Sequence, residues 1–166
     1  MAFSPADWGR KAELTIAGSE VSTSGASGEE LTDFPVVVTE ANLPSEIFSQ
    51  AEEDGGDIRF TRDAAGNNPI PAEIVAFDAS GSGSGSAEIW TRAPSLDGSG
   101  QSLYVWWDKA GTSQPAADAS LGREKVWSNG FAGTWHMDDV SGDAQDSTAS
   151  GNTGTDQTDG TFAVDS

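Results

Sequence analysis

The sequence predicts an all-β protein: an antiparallel β-sandwich, jelly-roll-like, with at most one short helix and an extended C-terminal tail. Two observations predict this class. Short alternating or β-branched runs recur along the chain, separated by turns rich in Gly, Ser, Asp and Asn. Only one segment has a helical pattern, and no heptad or solenoid period is present. The 166 residues are 36% hydrophobic, with 6 Trp and 7 Phe, which is enough for one compact domain.

The first strand is predicted at residues 8–17, where apolar positions alternate. Residues 18–30 have almost no apolar side chains and read as a solvated loop. The clearest strand follows, Phe34-Pro-Val-Val-Val-Thr39, because β-branched residues favour the extended backbone. Pro35 is tolerated near the start of a strand but not in the middle of a central one.

The one helix is predicted within residues 42–51, with Ser45 as its N-cap and with Ile47 and Phe48 facing inward. Two glycines end it. Residues 57–62 then alternate as a strand, with Ile58 and Phe60 on one face and the polar side chains on the other.

Further strands and their connections complete the predicted elements. Residues 71–77, 87–92 and 102–107 read as strands, and residues 93–100 as a tight connection between the last two. The repeat SGSGSGS at residues 80–86 is typical of a flexible hairpin tip. Residues 125–137 add a strand or two.

The charge excludes some partners. The chain has 27 acidic and 8 basic residues, for a formal charge of −19, which repels nucleic acid and anionic membranes. This balance fits adaptation to high salt, or simply an acidic, soluble surface protein. There is no cysteine, no run of transmembrane length and no signal-peptide pattern in the first residues. If Met1 is the native start, synthesis in the cytoplasm is expected.

An ordered set of motifs resembles the β-domain family DUF2341 over about residues 5–130. The motifs are Trp8, Leu31-Thr-Asp-Phe-Pro-Val-Val-Val38, Gly56-Asp-Ile-Arg-Phe-Thr61, Ile70-Pro-Ala-Glu-Ile74, Ala87-Glu-Ile-Trp90 and Leu103-Tyr-Val-Trp-Trp107. The chain departs from the family at Trp106-Trp-Asp-Lys109, where a Tyr-Tyr-Gly-Asn-like ending is common.

The resemblance implies a second module after the first. In that family a concanavalin A-like (laminin-G-like) jelly roll commonly follows, and residues 133–137 and 146–152 look like its first strand and turn. Closing such a sheet takes on the order of a hundred further residues. We therefore expect a β-sandwich domain at residues 1–130, and a tail or truncated second module at residues 131–166.

The resemblance also implies a role. It indicates a non-enzymatic structural or attachment module of a tailed prokaryotic virus: a fibre, spike or capsid decoration at the virion surface. Such a module would act as a homo-oligomer or with other virion proteins, and its partners could include a host-surface glycan. The alternative is a carbohydrate-binding module of a secreted or cell-surface protein. Neither reading involves nucleic acid or membrane insertion.

His136 is the chain's one histidine. In a strand it would share a face with Asp138, so a general base oriented by a carboxylate is conceivable. No nucleophile motif accompanies it, because there is no cysteine and no Gly-x-Ser-x-Gly elbow. We expect no enzyme, and a packed, hydrogen-bonded strand histidine.

Two groups of side chains are candidate binding residues. The acids Asp138, Asp139, Asp143 and Asp146 supply the oxygen ligands that Ca²⁺ prefers, although their spacing is not that of an EF-hand. The alternative is a solvated acidic loop, and no other cofactor is expected. A second cluster, Glu52-Glu53-Asp54 with Asp57, gives a weaker signal.

Tyr104 and Trp106 form the second candidate group. They share one face of the strand at residues 102–107, and Leu103, Val105 and Trp107 share the core face. The pair could form an exposed platform for a sugar or a partner protein. The alternative is burial of both faces, with the C-terminal tail covering the platform.

Overall fold

A computed structural model describes residues 3–21, 30–79, 85–138 and 142–155. Two antiparallel sheets form the fold, as the sequence predicts. The strands are β1 Arg10–Ile16, β2 Leu31–Thr39, β3 Arg59–Thr61, β4 Pro69–Ile70, β5 Ala72–Asp78, β6 Ser86–Leu96 and β7 Gln101–Trp107. Within the described residues there is one α-helix, α1 Ile47–Gln50.

The strand order is β1-β7-β3-β4 in the first sheet and β2-β6-β5 in the second. Every pair is antiparallel. The inner faces share one core, in which Phe60 and Val105 of the first sheet and Ile89 of the second are fully buried. Apolar side chains from both sheets are thereby removed from water, which is the main source of stability in such a sandwich.

Several predicted elements differ in extent from the observed ones. Strand β6 continues to Leu96, through half of the stretch predicted as a connection, and the turn to β7 is confined to residues 97–100. The stretch predicted as one strand at residues 71–77 belongs to β5, and Pro69–Ile70 forms the separate strand β4. Most of the predicted SGSGSGS hairpin tip, residues 80–84, and residues 22–29 of the predicted loop lie outside the described residues.

Helix α1 is a single turn, and the prediction of Ser45 as its N-cap is wrong. The cap position is Glu46, whose side chain makes no capping bond. The turns before the helix are closed by backbone bonds instead: Ile47 N donates to Pro44 O at 3.0 Å and Phe48 N to Ser45 O at 3.3 Å. Ile47 and Phe48 are buried, as predicted.

Pro35 lies on an edge strand, β2, in agreement with its sequence pattern. It is opposite Arg92, whose backbone N–H points the other way and donates to Pro71 O at 3.4 Å. Backbone groups of an antiparallel pair both face inward or both outward, so the nitrogen of Pro35 faces the free edge. That nitrogen has no hydrogen to donate, which interrupts the pairing of another strand along this edge.

The prediction of a strand at residues 125–137 is wrong. A 3-10 helix, Arg123–Lys125, precedes this stretch, and residues 126–138 contain no strand. Met137 has a φ of 61°, a left-handed conformation that an extended strand does not adopt. The alternation argument that put His136 and Asp138 on one face therefore fails. This stretch instead lies on the outer face of the second sheet, where side chains rather than backbone groups hold it.

Candidate functional site

The outer face of the second sheet carries an acidic and aromatic row. Ala72 and Ile74 of β5 face the core, so Glu73 between them points outward. Glu73 is opposite Trp90 of β6, and Trp90 is opposite Val37 of β2. Register thus places a carboxylate and an indole side by side. The described residues 126–138 and 142–155, which we call the C-terminal segment, pack over them.

Three side chains of the C-terminal segment donate hydrogen bonds to Glu73. Trp127 Nε1 lies 2.6 Å from Oε2, His136 Nε2 lies 3.1 Å from the same oxygen, and Ser147 Oγ lies 2.5 Å from Oε1. Glu73 is only 6% exposed. A buried carboxylate is costly unless donors surround it, and these three satisfy both of its oxygens. We call these four residues the Glu73 cluster.

His136 also contacts a second carboxylate. Its Nδ1 lies 3.7 Å from Oε1 of Glu88, and that oxygen accepts a hydrogen bond from Trp90 Nε1 at 2.9 Å. The imidazole lies against two indoles, with centroid distances of 6.1 Å to Trp90 and 5.7 Å to Trp127. The expectation of a packed, hydrogen-bonded histidine is met, although the backbone there is not a strand.

The two charged groups of the cluster stabilise each other's ionised form. The hydrogen bond to Glu73 raises the pKa of His136 against the opposing effect of burial. Burial would raise the pKa of Glu73, but the hydrogen bonds from His136, Ser147 and Trp127 outweigh it and hold that pKa below its ordinary value. An imidazolium and a carboxylate therefore face each other over the mildly acidic range.

The geometry does not resemble a nucleophilic relay. In such a relay the histidine lies between the hydroxyl and the acid. Here Ser147 and His136 both donate to Glu73, which leaves the serine hydroxyl directed at a carboxylate. What the arrangement can do is attach the C-terminal segment to the sheet.

Further contacts hold the beginning of this segment. Ser128 Oγ accepts from Arg92 Nη1 at 2.5 Å, and Asn129 Nδ2 donates to Thr32 O at 2.9 Å. Trp127 packs on Trp90 with ring centroids 5.2 Å apart. These contacts run from β2 across β6 to β5, so the described part of the C-terminal segment packs against the second sheet of its own chain.

Asp146, one of the calcium candidates, organises a turn. Its Oδ1 accepts from the backbone N–H groups of Thr134 at 3.0 Å and Thr148 at 2.9 Å. Its Oδ2 accepts from Asn152 N at 2.8 Å and from Thr148 Oγ1 at 2.9 Å. These donors outweigh burial and lower its pKa to about 2. Both carboxylate oxygens are thus engaged by protein donors.

The other calcium candidates lie apart from this turn. Asp138 and Asp143 are exposed, and Asp139 lies outside the described residues. Among the residues that the structure describes, no three His, Cys, Asp or Glu side chains are grouped so that they could hold a metal ion. The second acidic cluster is partly structural, because Asp57 is buried and accepts backbone N–H bonds from Glu52 and Lys109, each at 2.9 Å.

The predicted platform is not exposed at Trp106. This indole is 6% exposed, its Nε1 donates to Thr61 Oγ1 at 2.9 Å, and Tyr104 beside it is half-buried. Phe3 packs edge-on against it at 5.7 Å, and Lys11 Nζ lies 5.0 Å from the ring centroid. The N-terminal residues, not the C-terminal tail, cover this face of the first sheet.

The C-terminal segment carries large apolar side chains that face solvent. Phe131 and Trp135 are each 42% exposed and Met137 is 65% exposed. Trp135 is held in place by a hydrogen bond from Nε1 to Asn152 O at 3.0 Å. On the adjacent strand β2, Phe34 and Val37 are 44% and 45% exposed. Neither Phe131 nor the buried Glu73 could be singled out from the sequence, since a lone acid in a strand gives no sign of which segment will cover it.

None of the described helices has the length and apolar character needed to cross a membrane. Comparisons with protein-family models, with curated proteins and with solved structures found no match to this chain.

Proposed function

We propose that this chain is a non-enzymatic structural or attachment module at the surface of a tailed prokaryotic virus, acting through protein–protein assembly. One observation carries the proposal: the C-terminal segment is attached to the second sheet and presents Phe131, Trp135 and Met137 to solvent. Exposed large apolar side chains grouped on one surface are typical of protein-contact sites. The family resemblance supplies the viral setting.

The attachment of the segment supports an assembly role. A side chain on a free tail loses much entropy when a partner orders it, whereas a side chain on a fixed segment has already lost it. The Glu73 cluster fixes His136, and Trp135 and Met137 are its neighbours in the chain. The contact surface is therefore formed before a partner arrives.

The chemistry of the cluster supports a role without catalysis. Both ring nitrogens of His136 face carboxylates, at 3.1 Å from Glu73 and 3.7 Å from Glu88. Because these contacts raise its pKa above 6.5, His136 carries a proton below that pH and is a poor general base there.

The proposal is tested by the oligomeric state in molar salt and by the composition of virions. We expect the chain to form a defined oligomer by analytical ultracentrifugation, and Trp135→Ser with Met137→Ser to weaken it. Thr153→Ala, an exposed substitution in the same segment, is the matched control. A monomer in molar salt, together with absence of the protein from purified virions, would contradict the proposal.

A further inference from the structure

A cleft of about 730 Å³ opens at one end of the first sheet. The N-terminal residues form one wall, with Phe3 and Asp7, and residues 109–116 form the other. Trp8 and Arg59, both buried, also line it. This volume is within the range of sites for small molecules.

The wall formed by residues 109–116 is tied to the strand-β3 region. Lys109 N donates to Asp57 Oδ2 at 2.9 Å, and Gln114 Nε2 donates to Gly55 O at 2.6 Å. Arg59 Nη2 donates to Ser113 O at 2.7 Å. Hydrogen bonds at Lys109, Ser113 and Gln114 thus hold this wall of the cleft in place.

Arg59 is a buried cation in an unusual environment. It is 9% exposed, and its guanidinium donates to the carbonyl oxygens of Gly56, Ile58 and Ser113. In the described ranges no carboxylate oxygen lies within 4.0 Å of its nitrogens. Buried charges are usually paired. Asp57 is the acid that acts on it electrostatically, and that carboxylate already accepts two backbone N–H groups.

The same cleft presents further donors. Lys109 Nζ lies 4.2 Å from the centroid of the Trp8 ring and 3.2 Å from Asp7 Oδ2. The backbone N–H groups of residues 112–114 donate to no protein atom in the described part of the chain. The residues that line the cleft include two cations, Arg59 and Lys109, and one acid, Asp7. In a chain of charge −19, this local excess of positive charge and the N–H groups of residues 112–114 favour an anion.

We propose that this cleft binds an acidic sugar, a saccharide ring that bears a carboxylate. The carboxylate would accept from Lys109 and from the N–H groups of residues 112–114, in the field of Arg59. The apolar face of the ring would lie against Phe3, and the hydroxyls would meet the side chains of Thr112 and Gln114. The inference does not depend on the assembly role, and it gives the carbohydrate-binding alternative a location other than Tyr104 and Trp106.

Isothermal titration calorimetry with glucuronate, glucose and acetate tests this site on the full chain at low salt. We expect saturable binding of glucuronate, with glucose and acetate each at least about tenfold weaker, a difference of about 1.4 kcal/mol. Lys109→Gln should weaken glucuronate binding about fivefold or more. Lys11→Gln is the matched control, because Lys11 also lies over an indole, that of Trp106, outside the cleft.

Four results would overturn the inference. If glucuronate shows no saturable binding, the cleft does not bind acidic sugars. If glucose binds as tightly as glucuronate, the carboxylate is not recognised. If acetate binds as tightly, the sugar ring is not recognised. Unchanged binding in Lys109→Gln, with a circular dichroism spectrum like that of the wild type, removes the location. None of these results affects the oligomeric state, so a failure here is distinct from a failure of the assembly proposal.

Discussion

Glu73 is the residue on which attachment of the C-terminal segment depends most. It is buried, and it accepts hydrogen bonds from three side chains that are 54, 63 and 74 positions away in the sequence. A buried carboxylate with one donor would be destabilising, whereas three donors offset its lost hydration. Attachment of the C-terminal segment is therefore sensitive to the loss of this one carboxylate on β5.

Glu73→Ala should lower the free energy of unfolding by about 3 kcal/mol, because it leaves the donors of Trp127, His136 and Ser147 without their acceptor. Urea unfolding followed by tryptophan fluorescence measures this loss. Glu53→Gln is the control, since Glu53 is an exposed acid outside the cluster. Equal stability of Glu73→Ala and Glu53→Gln would show that the cluster does not form.

The same cluster gives an expected pH dependence. Because the folded pKa of His136 is raised above 6.5, its contribution is complete below pH 6.5 and is lost as pH rises through the folded value. Because the folded pKa of Glu73 is lowered from 4.5, its contribution is complete above pH 4.5 and is lost as pH falls through the folded value. Attachment of the segment should be strongest between these limits.

Stability measured by urea unfolding across pH 4–9 checks this expectation. The wild type should lose stability as the pH rises from 6.5 through the folded pKa of His136, and His136→Gln should lack this alkaline loss. A His136→Gln variant that keeps the wild-type pH profile would assign the loss to another group.

Among the elements, strands were predicted correctly where one face of the strand is apolar and packs in the core. The runs around Val36, Ile89 and Val105 alternate or are β-branched, and all three lie in observed strands. The strand prediction for residues 126–138 was wrong because Trp135 and Met137 alternate with His136 as residues of a strand do. Their placement depends on Glu73 and Trp90, distant in the chain, which no local period encodes.

The surroundings of the candidate binding residues could not be predicted from the sequence for a related reason. Alternation correctly separated Trp106 from the core face at Val105, but it could not show that Phe3 and Lys11 cover the indole. Acid spacing made Asp146 a candidate metal ligand, whereas in the structure its Oδ1 accepts from the backbone N–H groups of Thr134 and Thr148. In both cases the local sequence pattern does not show which residue elsewhere in the chain contacts the side chain.

The free edge of β2 should resist strand pairing because of Pro35. Pro35→Thr restores an N–H group on this edge, so we expect faster self-association, measured by light scattering at fixed protein concentration and salt. Val37→Thr is the matched control, because it changes a side chain on the same strand and keeps the existing N–H. Equal association rates for the two variants would mean that Pro35 does not protect the edge.

At the scale of the whole molecule, the charge of −19 opposes compaction. Screening acts over about 10 Å at 0.1 M salt and about 3 Å at 1 M. The melting temperature should therefore rise as KCl increases from 0.1 to about 2 M. Differential scanning calorimetry measures it, and a melting temperature that is flat or falling over this range would contradict adaptation to high salt.

The C-terminal segment lies on the second sheet of its own chain and holds its apolar side chains outward. Nuclear Overhauser contacts between His136 and the indoles of Trp90 and Trp127 test this placement most directly, measured in a mixture of isotope-labelled and unlabelled chains. We expect these contacts within one chain and at low protein concentration. Contacts found only between labelled and unlabelled chains, or absent altogether, would contradict this placement of the C-terminal segment.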